Sequence, residues 1–335
     1  MPSLSSSLED TNLLRLLFYG PSKTKKTWLA GTAAEAGFNV LFFEGDGNFS
    51  ILRNISPEAQ KRIYVVQARD RLNKAVFAEL MAVFLERKTL IWDEKERIAR
   101  LKITEELRSQ SIFIDKDKLD RNWVLVIDSY TALCWSIAVQ YCLENSIALS
   151  DAKKTDWDGY AWSGRLATWM IQQLKNIFDC HVIVIGHSDV YEKRKTVGDK
   201  QVIDWSRTLP KSTSGPHALT LAKNFTDVFL FSIVGSSFYV DSRAFADRDG
   251  GTINIPPARY SWDDLQFKDI IRLAGIKSPS PDLPYPDFSI SDKLFETLKP
   301  AKAGGARNTL GKKRTILPTG KTTLKINEVS HHDKT

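Results

Sequence analysis

Short apolar runs alternate with longer amphipathic stretches along most of the chain. Apolar runs typical of buried strands lie at 13–19, 39–43, 63–66, 123–127 and 181–185. Stretches with helical spacing lie at 28–36 and 72–86, from 128 to about 142, and at 162–178. Strands that are apolar on both faces are typical of a parallel sheet covered by helices on both sides. The pattern predicts an α/β fold with a doubly wound, mostly parallel sheet flanked by helices, followed by a C-terminal β-hairpin that turns at Gly235.

Composition divides the chain into three parts. Residues 1–12 are rich in serine and are expected to be flexible. The predicted globular domain spans 13–275 and contains a charged, irregular insertion at about 87–122. From 276 to 335, a Pro-rich linker leads into a basic tail that is predicted to be disordered, although a short amphipathic piece at 290–298 could pack on the domain.

The positive charge of the chain is concentrated in the tail. Residues 297–335 hold nine basic and two acidic side chains, while the rest of the chain holds 38 of each sign. Residues 1–296 are therefore neutral overall. Such a tail could bind a polyanion, or it could simply be a solubilising end without a partner.

Several classes of protein are disfavoured. No apolar run approaches the ~20 residues that span a bilayer, so a membrane partner is not expected. The N-terminus lacks a basic segment followed by an apolar one, as a secretory signal would have. The cysteines, Cys134, Cys142 and Cys180, show no paired spacing, and a reducing cytoplasm fits best. The five histidines are not clustered with cysteine, so a structural zinc site is not expected.

The segment between the first strand and the first helix has the residues of a phosphate-binding loop. Its eight positions, compared with G-x-x-x-x-G-K-[ST], are Gly20, Pro21, Ser22, Lys23, Thr24, Lys25, Lys26 and Thr27. Lys26 would reach the β- and γ-phosphates of ATP, and Thr27 would ligate Mg²⁺. Lys25 departs from the pattern, because it stands where the second glycine belongs. Its side chain could crowd the loop or add a second cation to it, and the plainer interpretation of the segment is a basic turn before a helix.

Acidic residues end two of the other predicted strands. Asp128 follows WVLVI, where an acid would hold Mg²⁺ next to a phosphate loop. Ser129 follows it instead of glutamate, which argues against the AAA+ arrangement of the hydrolytic acid. The catalytic base is therefore sought after NVLFF, at Glu44 and Asp46. A strand cap and a polar turn are the structural alternatives for these acids.

The ordered segments YGPSKTKKT, FFEGDGN, VLVIDSYTAL and VIVIGHS resemble the motif set of the RecA-like P-loop ATPases. The resemblance implies that Asp46 takes the place of the catalytic glutamate, with Glu44 as the alternative base. It also implies that His187 takes the place of the glutamine that contacts the γ-phosphate, although a lone histidine is more often structural. Aspartate for glutamate is a second departure, compatible with slow hydrolysis.

Within this class, residues 13–275 resemble phage-encoded nucleotide-binding ATPases, which include single-strand-annealing-type recombination proteins. Segments that carry the resemblance include GHSDVYEKR and TSGPHALTLAKNFTDVFLF. It implies a homo-oligomer, ring or filament, whose ATP sites lie at subunit interfaces and are completed by a cation in trans. Lys223, Arg243 and Arg248 lie in the part of the chain where that cation is expected.

The segment at 188–215 has the composition of a mobile loop that binds single-stranded DNA. Its cations are Lys193, Arg194, Lys195, Lys200, Arg207 and Lys211, interleaved with Tyr191 and Trp205. Cations can follow a phosphate backbone while aromatic rings stack on bases. Interspersed acids make a solvated charged loop the alternative. A second candidate loop, 146–162, contains Trp157 and Tyr160.

Three functional hypotheses follow. The first is an ATP- and Mg²⁺-dependent ATPase of low turnover that acts on single-stranded DNA in phage recombination, annealing or repair. The second is a DNA motor, helicase-like or packaging, which requires fast hydrolysis that Lys25 and Asp46 disfavour. The third is a nucleotide-binding DNA scaffold that does not hydrolyse ATP.

Overall fold

The computed structural model describes residues 13–147, 157–177, 179–197, 200–212, 215–243, 251–252 and 254–300. The strands are β1 (Arg15–Gly20), β2 (Asn39–Glu44), β3 (Ile63–Gln67), β4 (Thr89–Asp93), β5 (Ile98–Arg100), β6 (Ser111–Asp115), β7 (Trp123–Asp128), β8 (His181–Val197), β9 (Lys200–Pro210), β10 (Asp227–Val234), β11 (Ser237–Asp241), β12 (Gly251–Thr252) and β13 (Arg259–Ser261). The helices are α1 (Lys26–Gly31), α2 (Pro57–Gln60), α3 (Val76–Glu86), α4 (Glu105–Arg108), α5 (Tyr130–Glu144), α6 (Trp157–Ile177), α7 (Gly215–Leu221), α8 (Phe267–Leu273) and α9 (Asp292–Leu298). Short 3₁₀ turns lie at Phe49–Asn54, Lys116–Lys118, Ala222–Asn224 and Trp262–Asp264.

The main sheet has a parallel centre and an antiparallel edge. Its central strands follow the order β3-β2-β7-β8-β1-β10, and each neighbouring pair is parallel. Strands β11 and β13 continue the sheet beyond β10 in antiparallel pairing. The doubly wound, mostly parallel sheet expected from the sequence is confirmed. The C-terminal hairpin, β10 and β11, also forms where it was predicted, with Gly235 in its turn at φ 62°.

Helices cover both faces of the sheet because the central strands are apolar on both faces. Every residue of β1 and β2 is buried. Neighbouring residues of a strand point to opposite faces. Accordingly, Phe43 packs with side chains of α3, α5 and α6, while Phe42 packs with side chains of α1 and α8. The two resulting cores fix the strands whose ends carry the predicted site.

The charged insertion differs from the irregular segment expected. Within 87–122, strands β4, β5 and β6 form a separate antiparallel sheet with β4 in the middle. Asp93, fully buried, accepts hydrogen bonds from the backbone N–H of Glu96 (2.9 Å) and from Nε of Arg100 (2.8 Å). Part of the charge in this segment therefore stabilises a β-turn within the structure instead of remaining in solvent.

The C-terminal segment packs on this small sheet. Phe295 of α9 and Ile290 form a buried cluster with Ile91 and Ile103 of the insertion. The compact unit accordingly ends at Pro300, not at the boundary of 275 expected from composition. The linker between the two positions is part of the folded unit because its apolar side chains cover the insertion. The N-terminal segment 1–12 and the basic tail from 301 to 335 lie outside the described residues.

Candidate nucleotide-binding and catalytic site

Four strand ends meet at one edge of the main sheet. In the register of the parallel strands, Glu44 lies beside Asp128 and Gly20 lies beside His187. The carboxyl ends of parallel strands are where ligands bind in open α/β sheets. The strand pairing therefore brings the predicted phosphate loop, the predicted metal ligand Asp128, the turn with the candidate bases and His187 together, although they are up to 167 positions apart in the chain.

The phosphate loop connects β1 to α1 and depends on unusual backbone conformations. A side chain at Gly20 would collide with the backbone carbonyl of Phe231, so this position requires glycine. Lys23 and Lys25 both lie in the left-handed region, at φ 63° and 65°. Such alternations turn successive backbone N–H groups into one concavity, which favours an anion. The loop thus has the form expected of a phosphate cradle.

Lys26 lies folded over this loop. Its Nζ donates hydrogen bonds to the carbonyls of Gly20 (3.0 Å) and Pro21 (2.7 Å) and to Oγ1 of Thr24 (3.1 Å). Burial lowers the pKa of Lys26 to about 8, against the opposing effect of Asp128 and Asp46. Because its hydrogen-bond acceptors are neutral, the ammonium can attract an anion strongly.

Thr27 and Asp128, the two residues predicted to hold Mg²⁺, are in contact. Oγ1 of Thr27 donates a hydrogen bond of 2.6 Å to Oδ2 of Asp128. Burial raises the pKa of Asp128 to about 7, although the Thr27 hydrogen bond opposes the shift. Hydroxyl and carboxylate oxygens are hard donors that suit Mg²⁺. No group of three or more His, Cys, Asp or Glu in the described part of the chain could hold a metal by itself. Mg²⁺ at this pair would therefore also need phosphate oxygens or water.

Glu44 holds the turn after β2. Its Oε1 accepts the backbone N–H of Gly47 and, at 3.1 Å, that of Asn48. Its Oε2 lies 3.7 Å from Nε of Arg69, too far for a hydrogen bond. Burial raises the pKa of Glu44 despite these backbone bonds. These contacts favour a structural role for the residue considered as the alternative base.

Asp46, which lies in the same turn, contacts His187. Its Oδ2 lies 3.2 Å from Nε2 of His187, across the end of the intervening strand β7. Burial alone would raise the pKa of Asp46, but hydrogen bonds from His187 and Ser129 and the charge of Lys26 hold it below its usual value. The backbone N–H of His187 is itself bonded to Oγ1 of Thr131 (3.1 Å). Asp46 is therefore an ionised carboxylate in a fixed position, near Lys26.

The side chain of Lys25 is bound by residues that the sequence analysis missed. Its Nζ lies 2.9 Å from the ring centroid of Trp262 and 4.9 Å from that of Phe238. No local signal could have found this contact, because it joins segments more than 200 residues apart.

The predicted DNA-binding loop is a long β-hairpin. Residues 188–197 of β8 pair with 200–210 of β9 in antiparallel register. The expectation of a mobile loop here is corrected, because alternating side chains and cross-strand pairs order the segment. Some of its cations pair with acids of the same hairpin: Arg194 with Glu192 (3.1 Å), Lys195 with Asp204 (2.7 Å) and Lys211 with Asp189 (3.7 Å).

The remaining predicted cations and aromatic residues have varied surroundings. Lys193 and Lys200 are exposed on the hairpin, and Arg207 is partly buried. The side chains of Trp157, Tyr160 and Trp205 lie outside the described residues, as does most of the second candidate loop before α6.

The three candidates for a cation in trans also differ. Arg243 is paired with Asp241, fully buried, at 2.9 Å. Lys223 is exposed in the 3₁₀ turn after α7, and Arg248 lies outside the described residues. These surroundings leave the choice among the three open.

Comparison with known proteins assigns the family. Residues 12–216, more than half of the chain, match the family described as AAA domain. The chain belongs to the AAA domain family. With its phosphate loop after the first strand of a mostly parallel sheet, this AAA domain has a RecA-like P-loop ATPase fold, as the sequence resemblance implied. In this AAA domain, the residue directly after Asp128 is Ser129 and not an acid.

Among solved structures, the AAA domain chain is similar to the crystal structure of the RadB recombinase. The two are 14% identical, over 74% of this chain and 86% of that chain, with a TM-score of 0.38. No curated protein matches the sequence. None of the described helices of the AAA domain chain is both long enough and apolar enough to cross a bilayer.

Proposed function

We propose that the protein binds ATP with Mg²⁺, hydrolyses it slowly to ADP and phosphate, and uses this cycle to control its binding to single-stranded DNA. The observation that carries the proposal is the convergence of Lys26, the Thr27–Asp128 pair and the Asp46–His187 pair at one edge of the parallel sheet. Cation, metal ligands and ionised carboxylate are the parts that phosphoryl transfer to water requires.

Each of these residues has a distinct task in the proposed reaction. The backbone of the loop and the ammonium of Lys26 bind the phosphates. Thr27 and Asp128 would hold Mg²⁺, which when bound neutralises charge on the phosphate oxygens. Asp46 orients the attacking water and accepts its proton, because its carboxylate is held ionised beside His187.

The hairpin links this site to the proposed DNA surface. His187 contacts Asp46 and lies at the point where β8 leaves the main sheet and enters the β8–β9 hairpin. A change at His187 on nucleotide binding would therefore reach the hairpin through a continuous strand. In the cell, this role fits recombination, annealing or repair of phage DNA by a ring or filament of the chain.

The test is ATP turnover by the purified protein with and without single-stranded DNA. We expect low turnover that DNA stimulates, and no turnover in Lys26→Ala. Lys268→Ala, an exposed lysine on α8, is the matched control and keeps the wild-type rate. Failure of the wild-type protein to bind ATP at all would refute the phosphate-site assignment.

A DNA scaffold gated by nucleotide without turnover is the second candidate. Aspartate at position 46, one methylene shorter than glutamate, favours it. ATP binding lost in Lys26→Ala, with no turnover in either protein, would select this candidate. Fast turnover with strand unwinding would instead select a motor.

A further inference from the structure

Lys25 occupies the position of the second glycine in the phosphate-loop pattern, and its backbone has the conformation that glycine would supply. Its φ of 65° and ψ of 17° are left-handed, which strains a residue with a Cβ atom. Lys25 directly precedes Lys26, the first residue of α1. A contact that holds Lys25 therefore also fixes the direction in which the loop enters the helix.

Such a contact is present at the other end of the side chain. The ammonium of Lys25 lies 2.9 Å from the ring centroid of Trp262 and 4.9 Å from that of Phe238. The face of an aromatic ring attracts a cation. Burial lowers the pKa of Lys25, while the neighbouring Asp263 opposes that shift and favours the charged form.

The aromatic residues are themselves fixed on both sides of the contact. The ring of Trp262 packs edge-on against Trp28 of α1, with centroids 5.2 Å apart, and against Phe238 of β11, 6.4 Å apart. Trp28 follows Lys25 by three residues, nearly one helical turn. The start of α1 is thus joined to the antiparallel edge of the sheet by one aromatic cluster.

We propose that Trp262 is a positioning residue for the ATP site, which holds the loop in its phosphate-binding conformation by binding the ammonium of Lys25. The lysine departs from the phosphate-loop pattern, and the tryptophan compensates for that departure. This inference rests on the proposed function, because its ligand is ATP.

A direct role of the Lys25 charge in binding phosphate makes a different prediction. If the ammonium contacts ATP, glycine at position 25 removes a favourable contact. If Trp262 acts through the backbone of Lys25, glycine at position 25 makes Trp262 unnecessary, because glycine adopts the left-handed conformation without strain. The two substitutions must therefore be combined.

The experiment measures the Kd of ATP with Mg²⁺ at equilibrium, together with the melting temperature of each variant. We expect Trp262→Ala to weaken binding about tenfold, the scale of a partly desolvated cation–π contact. Trp262→Phe, which keeps an aromatic face, should recover most of the affinity. In the Lys25→Gly background, Trp262→Ala should have no effect on the Kd. Tyr285→Ala is the matched control, because it removes a ring that Arg62 contacts at 4.8 Å elsewhere on the surface.

A second variant does not disturb the aromatic packing. Lys25→Met keeps most of the side-chain stem and the strain but removes the charge, so it should weaken ATP binding as Trp262→Ala does. An equal loss from Trp262→Ala in both backgrounds would overturn the inference. So would equal losses from Lys25→Gly and Lys25→Met, which would show that the charge contacts ATP. Wild-type protein that binds no ATP would refute the proposed function itself, whereas wild-type binding with no loss in Trp262→Ala would refute only the role of Trp262.

Discussion

Burial of two opposite charges gives the phosphate site a narrow working range of pH. The pKa of Lys26 is lowered to about 8 by burial, so its charge is lost as the pH rises through 8. The pKa of Asp128 is raised to about 7 by burial, so its charge is lost as the pH falls through 7. The proposed binding of ATP with Mg²⁺ needs both charges.

The first prediction is therefore a bell-shaped pH profile of kcat/KM for ATP, with its maximum between about 7 and 8. This ratio reports the ionisation of the free protein. Turnover at saturating ATP should depend less on pH, because the bound phosphates and Mg²⁺ favour both charged forms. A kcat/KM that is level from pH 6 to 9 would contradict the prediction.

The same burial predicts a conflict between stability and function at Asp128. The folded pKa of this group lies above its unfolded value, so its contribution to stability is greatest at acid pH and declines as the pH rises towards 7. Asp128→Asn should raise the free energy of unfolding at pH 8, on the order of 1–3 kcal/mol, because it removes a buried charge. Denaturant unfolding measures the gain, and Mg²⁺-dependent ATP binding should fall at least tenfold. At pH 4, where the wild-type carboxyl is protonated, the stabilisation should be largely absent.

Asp46 and Glu44 are two acids of one turn, and their contacts predict different responses. Asp46→Asn should lower turnover about 100-fold while ATP affinity stays within about threefold, since the change removes a base but no phosphate contact. Glu44→Gln can still accept the backbone N–H groups of Gly47 and Asn48, so turnover should stay within about threefold. Single-turnover kinetics with equilibrium ATP binding measures both. The reverse ranking would make Glu44 the base.

At the scale of elements, the sequence predicted the parallel strands and the C-terminal hairpin well, but not the antiparallel strands of the insertion or the β8–β9 hairpin. Runs such as WVLVI are buried on both faces, so composition alone marks them as central strands. Strands β4 to β6 and the β8–β9 hairpin carry many charged side chains. They are ordered in part by ion pairs between these side chains, which the spacing of residues in the sequence does not reveal. Asp93 with Arg100 is one such pair, and Lys195 with Asp204 is another.

Most residues of the candidate site could be predicted for the same reason as the parallel strands. Lys26, Thr27, Asp128, Asp46 and His187 could be predicted because each lies within a few residues of the carboxyl end of an apolar run, and the pairing of parallel strands then brings these ends together. The contact of Lys25 with Trp262 could not be found, because it depends on how the antiparallel edge folds back on the loop.

We expect exposed lysines of the β8–β9 hairpin to bind single-stranded DNA. Lys193 and Lys200 are exposed on the hairpin. The double variant Lys193→Glu/Lys200→Glu should weaken binding of single-stranded DNA at least tenfold. The slope of the logarithm of the binding constant against the logarithm of the salt concentration should become less steep by about 0.7 for each lost phosphate contact. Lys268→Glu/Lys293→Glu, with the same change of charge on exposed sites of α8 and α9, should retain affinity. Equal losses in both variants would indicate that only the total charge matters.

We expect the packing of helix α9 on the insertion to contribute to the free energy of unfolding. Phe295 is 3% exposed and packs with Ile290, Ile91 and Ile103. Phe295→Ala should lower the free energy of unfolding by about 3 kcal/mol, through lost burial and a cavity. Denaturant unfolding checks the value, and Lys293→Ala, an exposed change on the same helix, should cost less than about 0.5 kcal/mol. ATP affinity of the folded Phe295→Ala protein should not change, because the buried cluster around Phe295 contains no residue of the phosphate loop.

At the scale of the whole molecule, the distribution of charge along the chain predicts a role for the C-terminal tail. The compact unit ends at Pro300, while most of the excess positive charge lies beyond it. Removal of residues 301–335 should leave the melting temperature within about 2 °C and the ATP affinity unchanged. Affinity for single-stranded DNA should fall and depend less strongly on salt, because fewer counterions are released. Unchanged DNA affinity would assign the tail a solubilising role only.

Strand β8 crosses the boundary between the rigid centre of the protein and its proposed DNA surface without a break. It pairs with β7 up to Ile185 and with β1 up to His187, and from Ser188 to Val197 its partner is β9. Ten residues of strand extend about 33 Å. A tilt of this segment by about 5° beside the Asp46–His187 contact would displace its far end by about 3 Å. This distance is close to the rise per nucleotide of a stacked strand. A small rotation of β8 beside the proposed nucleotide site would thus move the tip of the hairpin by about the spacing of bases.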